Sequence, residues 1–159
     1  MIDSQSVRTT ESGGPRGYDA AKRLKGRKRH IVTDTQGFLL AVRVHTANVQ
    51  DVHGAVPLLG SLRASFPKLR HIFADRVYRG VQLRKAIARF GRWKIEIVTR
   101  TERAGTFRPQ RKRWVVERSF AWFGRDRRLA RDFERTVESE EAWFLLSSIR
   151  FLVRRLAKA

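Results

Sequence analysis

The chain has 159 residues, a length that fits one domain rather than a two-domain enzyme. Lysine and arginine number 35 against 15 acids, a formal net charge of +20. That charge favours a polyanion as partner, nucleic acid before an acidic membrane surface, over a small neutral or cationic molecule. A hydrophobic content of 42% is too high for a disordered basic tail, and the lack of cysteine excludes disulfides, thiolate metal sites and cysteine nucleophiles. No apolar run approaches the ~18 residues needed to span a membrane. Met1-Ile2-Asp3-Ser4-Gln5 lacks the basic and apolar regions of a signal peptide, so a soluble intracellular protein is expected.

Met1 to Val7 reads as a short strand. Thr9 to Lys25, with Gly13, Gly14, Pro15 and Gly17, reads as loop. It runs into Lys22-Arg23-Leu24-Lys25-Gly26-Arg27-Lys28-Arg29, six basic residues in eight. His30 to Thr33, a turn at Asp34 to Gly37 and Phe38 to His45 form a β-hairpin, followed by loop from Thr46 to His53. A helix over Gly54 to Phe66 carries Val56, Leu59, Leu62 and Phe66 on one face, with Pro57 in its first turn. Leu69 to Ala74 is a strand ending at Asp75. Tyr78-Arg79-Gly80 opens a helix to about Phe90, bearing Leu83 and Ile87 and closed by Gly91. Trp93 to Thr99 alternates as a strand, and Thr101 to Phe107 is loop. Pro109 to about Leu129 reads as one long helix with Val116, Phe120 and Phe123 in register. The last helix has Ser139 as cap, Glu140 and Glu141 at the positive end of its dipole, and Arg154, Arg155 and Lys158 at the negative end. Its apolar stripe is Ala142, Leu145, Leu146, Ile149, Leu152, Val153 and Leu156, expected to pack on the sheet or against another subunit. A hairpin followed by strand–helix alternation predicts an α/β fold, a mixed sheet with helices on both faces.

Three acids stand beside residues that favour a core. Asp3 follows Ile2 in the first strand, Asp75 ends Ile72-Phe73-Ala74, and Glu117 follows Trp114-Val115-Val116 in a helix. An unpaired carboxylate is costly there. Each must be solvated, paired with one of the basic side chains, or neutralised by metal. In a mixed sheet the three can converge, and three hard oxygen donors suit Mg²⁺ or Mn²⁺. Two such ions activate a hydroxyl and stabilise a departing oxygen in phosphodiester attack.

These residues lie within a motif series that resembles the DDE transposases of bacterial insertion sequences, in the insertion-sequence-five group of the IS-four-like superfamily. The matching stretches are Ile2-Asp3-Ser4-Gln5-Ser6-Val7, Gly17-Tyr18-Asp19-Ala20-Ala21-Lys22, Lys25-Gly26-Arg27-Lys28-Arg29-His30, Val44-His45-Thr46-Ala47-Asn48-Val49-Gln50-Asp51, Ala74-Asp75-Arg76-Val77-Tyr78-Arg79-Gly80 and Arg113-Trp114-Val115-Val116-Glu117-Arg118-Ser119-Phe120-Ala121-Trp122. They occur in the family's order and cover almost the whole chain. The resemblance implies one ribonuclease H-like domain over residues 1–159 and metal-dependent DNA cleavage and strand transfer at transposon ends. It assigns Asp3, Asp75 and Glu117 as catalytic metal ligands for two ions. Arg113, one helical turn before Glu117, is expected to hold phosphate or orient the carboxylate. The resemblance further implies terminal-repeat and target DNA as partners, a homo-oligomer on DNA, no membrane, and a bacterial cytoplasm, nucleoid-associated. Full-length members carry an N-terminal DNA-recognition region, so the chain is expected to be either a second reading frame joined to an upstream one or a truncated remnant. The alternative is a catalytically inactive DNA-binding fragment.

Two departures from the family pattern bear on the site. Val77 stands where glycine is common, and would strain the loop if positive φ is needed. Gly124 stands where a lysine is expected, with Arg125 next. For the DNA surface, Lys22, Arg23, Lys25, Arg27, Lys28 and Arg29 are read as a loop that neutralises phosphates. Trp114 is read as core or as a base-stacking group, and Tyr78 as packing or a contact to the scissile strand. Trp122 has the same two readings as Trp114. His30, His45, His53 and His71 show no metal spacing and are read as structural or surface residues.

Overall fold

The computed structural model describes residues 1–11, 13–91, 93–98 and 113–158. Its strands are β1 (Ile2–Arg8), β2 (Gly17–Asp19), β3 (Leu24–Thr33), β4 (Leu39–Thr46), β5 (His71–Ala74) and β6 (Lys94–Ile97). Its helices are α1 (Asp51–Ser65), α2 (Val81–Ala88), α3 (Arg113–Gly124), α4 (Arg127–Ala130) and α5 (Val137–Leu156), with a 3₁₀ turn at Arg76–Tyr78. One six-stranded sheet runs β2-β3-β1-β5-β6, with β4 also on β3. β1 is antiparallel to β3 and parallel to β5, and β5 is parallel to β6. The result is a mixed α/β architecture compatible with a ribonuclease H-like fold. Among the described residues no helix is long and apolar enough to cross a membrane.

The period-two alternation of the strands divides the interior in two. Ile2, Val32, Ile72 and Ala74 point towards α1 and α2, where Leu58, Leu59, Leu62, Leu83 and Ile87 complete one cluster. Ile31 points the other way, into Val116, Phe120, Phe123, Leu129 and Phe144 from α3, α4 and α5. Val116, Phe120 and Phe123 supply the apolar face of α3 expected from their spacing.

Several boundaries differ from the sequence expectation. Helix α1 begins three residues earlier than Gly54, at Asp51, which places Pro57 inside the helix instead of its first turn. Gly54 lies against two histidines: a Cβ there would stand 2.3 Å from His45 Nε2 and 2.5 Å from His30 Cε1. The long helix is broken after Gly124, because Asp126 caps a new turn by accepting from Arg128 N–H. Its expected start at 109–112, the loop over 101–107 and Thr99 lie outside the described residues. Thr136, not Ser139, caps α5, accepting from Ser139 N–H at 3.1 Å.

The largest difference is at the basic run. It is not a loop: β3 begins at Leu24, and Arg27, Lys28 and Arg29 are buried within the sheet. Arg27 Nη1 lies 3.1 Å from Asp132 Oδ1 and 3.4 Å from Glu140 Oε2, and Arg29 Nε pairs with Glu140 Oε1. The remaining donors of Arg27 and Arg29 reach the carbonyls of Pro15, Leu129, Arg131, Arg135 and Thr136. Burial raises the Glu140 carboxyl above its ordinary value, with Arg29 pulling the other way. Glu140 is therefore an interior counter-ion and not only a helix-dipole partner. Removing one member of such a network strands a buried charge, whereas replacing both with apolar groups need not destabilise. Arg29→Met is expected to lower the unfolding free energy in urea by ~3–5 kcal/mol, and Arg29→Met combined with Glu140→Leu to recover most of the loss.

Candidate active site

The register of β1 and β5 builds the centre of the site. Ile2 pairs with Ala74 in parallel, so the next residues, Asp3 and Asp75, leave adjacent strands side by side. Ile2 faces α1, so Asp3 faces the opposite layer, where α3 lies. Asp75 ends the strand and caps the 3₁₀ turn, its carboxylate accepting from Arg76 N–H. The carboxylate of Asp3 accepts from Ser4 N–H at 2.8 Å. From α3, Arg113 Nε donates to Glu117 Oε1 at 2.7 Å, one helical turn away, and Arg113 Nη1 lies 3.7 Å from Asp75 Oδ2.

One guanidinium thus sits among three carboxylates. Burial pushes the Asp3 carboxyl up to about 6, with Asp75 and Glu117 adding to the rise and Ser4 N–H and Arg113 opposing it. Arg113 is held further into its charged form, first by its hydrogen bond to Glu117 and then by Asp75. Among the described residues, the cluster is left short of positive charge. Its donor set, three carboxylates at one sheet edge with no sulfur, fits a hard divalent cation. As they stand, with Arg113 between them, no three metal-ligating side chains among the described residues are gathered closely enough to hold an ion. Pairing with a basic side chain is therefore realised for Asp75 and Glu117 by Arg113.

Residues 1–152 match the family described as "Transposase DDE domain". The chain belongs to the DDE transposase family. A Burkholderia cepacia protein named "Putative transposase for insertion sequence element IS402" is 34% identical over 153 residues, which is 92% of this chain and 70% of the relative. No solved structure matches at a significant level. Membership implies a role in transposition, DNA as partner and dependence on a divalent metal.

The other expected contact residues of this transposase domain separate into two groups. Lys22, Arg23 and Lys25 are exposed at and beside the start of β3, and Trp114 is 40% exposed on α3. Arg27, Lys28 and Arg29 are interior, as described above, so the fold turns them away from any bound polymer. Tyr78 is only 1% exposed and packs in the α1–α2 cluster, its hydroxyl buried near Asp3, Ser4, Asp51 and Asp75. The buried ring thus packs in the core, the first of its two readings. Trp114 and Trp122 hold Arg118 between them, its Cζ 4.2 and 4.5 Å from the two rings. Arg118 Nη2 donates to Gln36 O at 2.6 Å, and Ser119 Oγ donates to Gly37 O at 2.8 Å. These contacts fasten the β3–β4 turn to α3. Val77 lies in the 3₁₀ turn without strain: among described non-glycine residues only Arg23 has positive φ, 51°.

A second polar cluster, absent from the sequence reading, lies on the opposite face of β1. Ser4 Oγ donates to Asp51 Oδ1 at 2.7 Å, and Lys28 Nζ and His30 Nε2 lie 3.4 and 3.5 Å from the same oxygen. His30 Nδ1 and His45 Nε2 are 2.8 Å apart. Burial raises Asp51, but His30, Ser4 and Lys28 overcome it and hold the carboxyl well below the usual carboxylate range. The only sequence signal was the position of Asp51 in a matched motif, because its partners are up to 47 residues away.

The shift at Asp3 has a testable sign. Between 3.8 and about 6 the folded protein keeps a proton that the unfolded chain releases, so stability falls as pH rises through that window. Asp3→Asn removes the uncompensated charge. In metal-free protein at pH 7.5 it is expected to raise Tm by ~2–4 °C, the shift that follows from about 1 kcal/mol at this size, and to leave Tm unchanged at pH 3.5. Scanning calorimetry at the two pH values measures the difference.

Proposed function

We propose that this chain is the catalytic domain of an insertion-sequence transposase of the insertion-sequence-five group, cutting phosphodiesters at element ends and joining them to target DNA. The observation that carries the reading is the placement of Asp3, Asp75 and Glu117 around Arg113 at one sheet edge. The ordered motif series and the +20 charge support it. Asp3, Asp75 and Glu117 would hold two Mg²⁺ or Mn²⁺ ions, which would supply activation of the attacking hydroxyl and stabilisation of the departing oxygen.

The chain's own groups have separate tasks. Asp3 and Asp75 project from adjacent strands, so the sheet sets their spacing. Glu117 comes from α3, which Ser119 and Arg118 fasten to the β3–β4 turn. Arg113 partly neutralises the carboxylates in the free protein and is a cation at the same edge for a scissile phosphate. Lys22, Arg23 and Lys25 track the backbone, where each contact positions DNA without reading sequence. The exposed ring of Trp114 offers a stacking face to an unpaired base.

With labelled duplex DNA carrying insertion-sequence terminal repeats, Mg²⁺-dependent nicking and strand transfer are expected, and Glu117→Gln is expected to reduce both to background while retaining DNA binding. Cleavage by Glu117→Gln at the parental rate would remove that carboxylate from the chemistry. A second measurement concerns Gly124, the exposed last residue of α3. A Cβ there meets nothing within 4 Å, so lysine is accommodated. Gly124→Lys is expected to steepen the salt dependence of DNA binding by about one phosphate contact, a slope change of ~0.9.

A further inference from the structure

Helix α5 turns its apolar stripe away from the domain. It is fixed to the body by Glu140, Phe144, Ser147 and Ser148, all buried, and by Phe151 packed beside Phe123. On the other side Leu145, Leu146, Ile149, Leu152, Val153 and Leu156 are between 40% and 76% exposed. This is a continuous line of large side chains on one helix, beyond the isolated apolar residues normal on a surface.

The spacing of the line is specific. Ala142, Leu145, Ile149, Leu152 and Leu156 alternate steps of three and four, the a and d positions of two successive heptads. Leu146 and Val153, seven apart, widen the seam on one flank. It covers 15 residues, about 22 Å of helix. The charges are distributed by end: Glu138 and Glu141 at the start, Arg154, Arg155 and Lys158 at the finish. A second α5 laid antiparallel puts acidic start beside basic finish at both ends. A parallel pair would set like against like and align the two helix dipoles. In the antiparallel arrangement a opposes d, so Leu145 faces Leu156 of the second copy, and Ile149 faces Leu152.

We propose that α5 is a homodimerisation helix, two copies of this chain pairing antiparallel along Ala142–Leu156. The proposal does not depend on the catalytic reading, since it uses no residue of the carboxylate cluster. Two opposing terms set its strength. Burial of the seam favours pairing, while two molecules of +20 repel one another. Salt shortens the screening length from ~30 Å at 0.01 M to ~8 Å at 0.15 M. The dimer therefore tightens as salt rises, the reverse of a DNA complex. A seam of this length is small beside the ~1,600 Å² of a standard interface, so the equilibrium depends on protein concentration in the micromolar range.

Sedimentation of the full chain is expected to show a monomer–dimer equilibrium that shifts to dimer with protein concentration and with added salt. Leu152→Glu is expected to weaken association at least ~10-fold, with an unchanged circular dichroism melt. Arg84→Glu, on the exposed face of α2, should leave the seam intact. The chain contains no cysteine, so orientation can be read by cross-linking. A mixture of Leu145→Cys and Leu156→Cys is expected to give an oxidised heterodimer, with little disulfide dimer from either variant alone. Self-cross-linking of each variant would mean a parallel pair and overturn the arrangement. A chain that stays monomeric at every salt concentration, including one that binds anionic vesicles as a monomer, would overturn the dimer itself.

Discussion

The ion network on β3 is the constraint from which the layered architecture follows. Arg27 and Arg29 share one face of the strand with Ile31, and Lys28 and His30 share the other with Val32. A buried guanidinium without a partner is prohibitively costly. Asp132 and Glu140 must therefore come to the first face, and Asp19 and Asp51 to the second. The first requirement brings the segment carrying α4 and α5 onto the sheet, and the second brings the start of α1. Register is fixed by the same chemistry. A one-residue slip of β3 would exchange the faces of all four basic groups, separating each from its acids and moving Ile31 and Val32 out of their clusters. Because β1 pairs with β3 along its length, the position of Asp3 inherits that register.

Much of this was readable locally, and what was not is long-range. The hairpin around Asp34–Gly37, the face of α3 defined by Val116, Phe120 and Phe123, and the proximity of Asp3, Asp75 and Glu117 depend on alternation, helical spacing and a recognisable motif order. The interior role of Arg27 and Arg29 could not be obtained that way. A run of basic residues ordinarily marks a solvated surface. Their counter-charges, Asp132 and Glu140, lie 105 and 111 residues away along the chain. The last helix shows a different limit. Its apolar stripe is unmistakable in sequence, yet the body-facing side is built from Glu140, Phe144, Ser147 and Ser148, a set whose burial depends on Arg29 and on the aromatic cluster with Phe123. Amphipathicity identified a side of the helix, but not which side meets the sheet.

The turn between β3 and β4 illustrates how a local element becomes part of the site. Asp34 accepts from Gln36 and Phe38 N–H, closing the turn without outside help. The turn then offers the carbonyls of Gln36 and Gly37 to Arg118 and Ser119. The one proton of the Ser119 hydroxyl is shared between Gly37 O at 2.8 Å and Val115 O at 3.0 Å, so the same group serves the turn and its own helix. Arg118 is further confined by the indoles of Trp114 and Trp122. α3 is thereby held in rotation, which decides that Glu117 and Arg113 face the β1–β5 edge. The tryptophans flanking Glu117 thus position the helix in addition to offering any stacking surface.

Asp3 and Asp51 are two acids in the same part of the sheet with opposite electrostatic surroundings. Both carboxylates pay desolvation, and both lie next to Ser4. Asp51 receives the Ser4 hydroxyl, Lys28 and His30, and its carboxyl falls well below the usual range. Asp3 receives the Ser4 amide and a share of one guanidinium that Asp75 and Glu117 also claim, and its carboxyl rises to about 6. A chain with 35 basic residues has no shortage of cations with which to close the second cluster as it closed the first. Among the described residues it supplies Arg113, from a helix face where the side chain is partly exposed, and three oxygen-bearing groups share that one guanidinium at the surface of a strongly cationic molecule. Natural folds tolerate such a local imbalance mainly where function requires it. The imbalance is also of the sign that a divalent cation corrects, which is the physical reason for proposing chemistry at this edge and not at the equally polar cluster behind it.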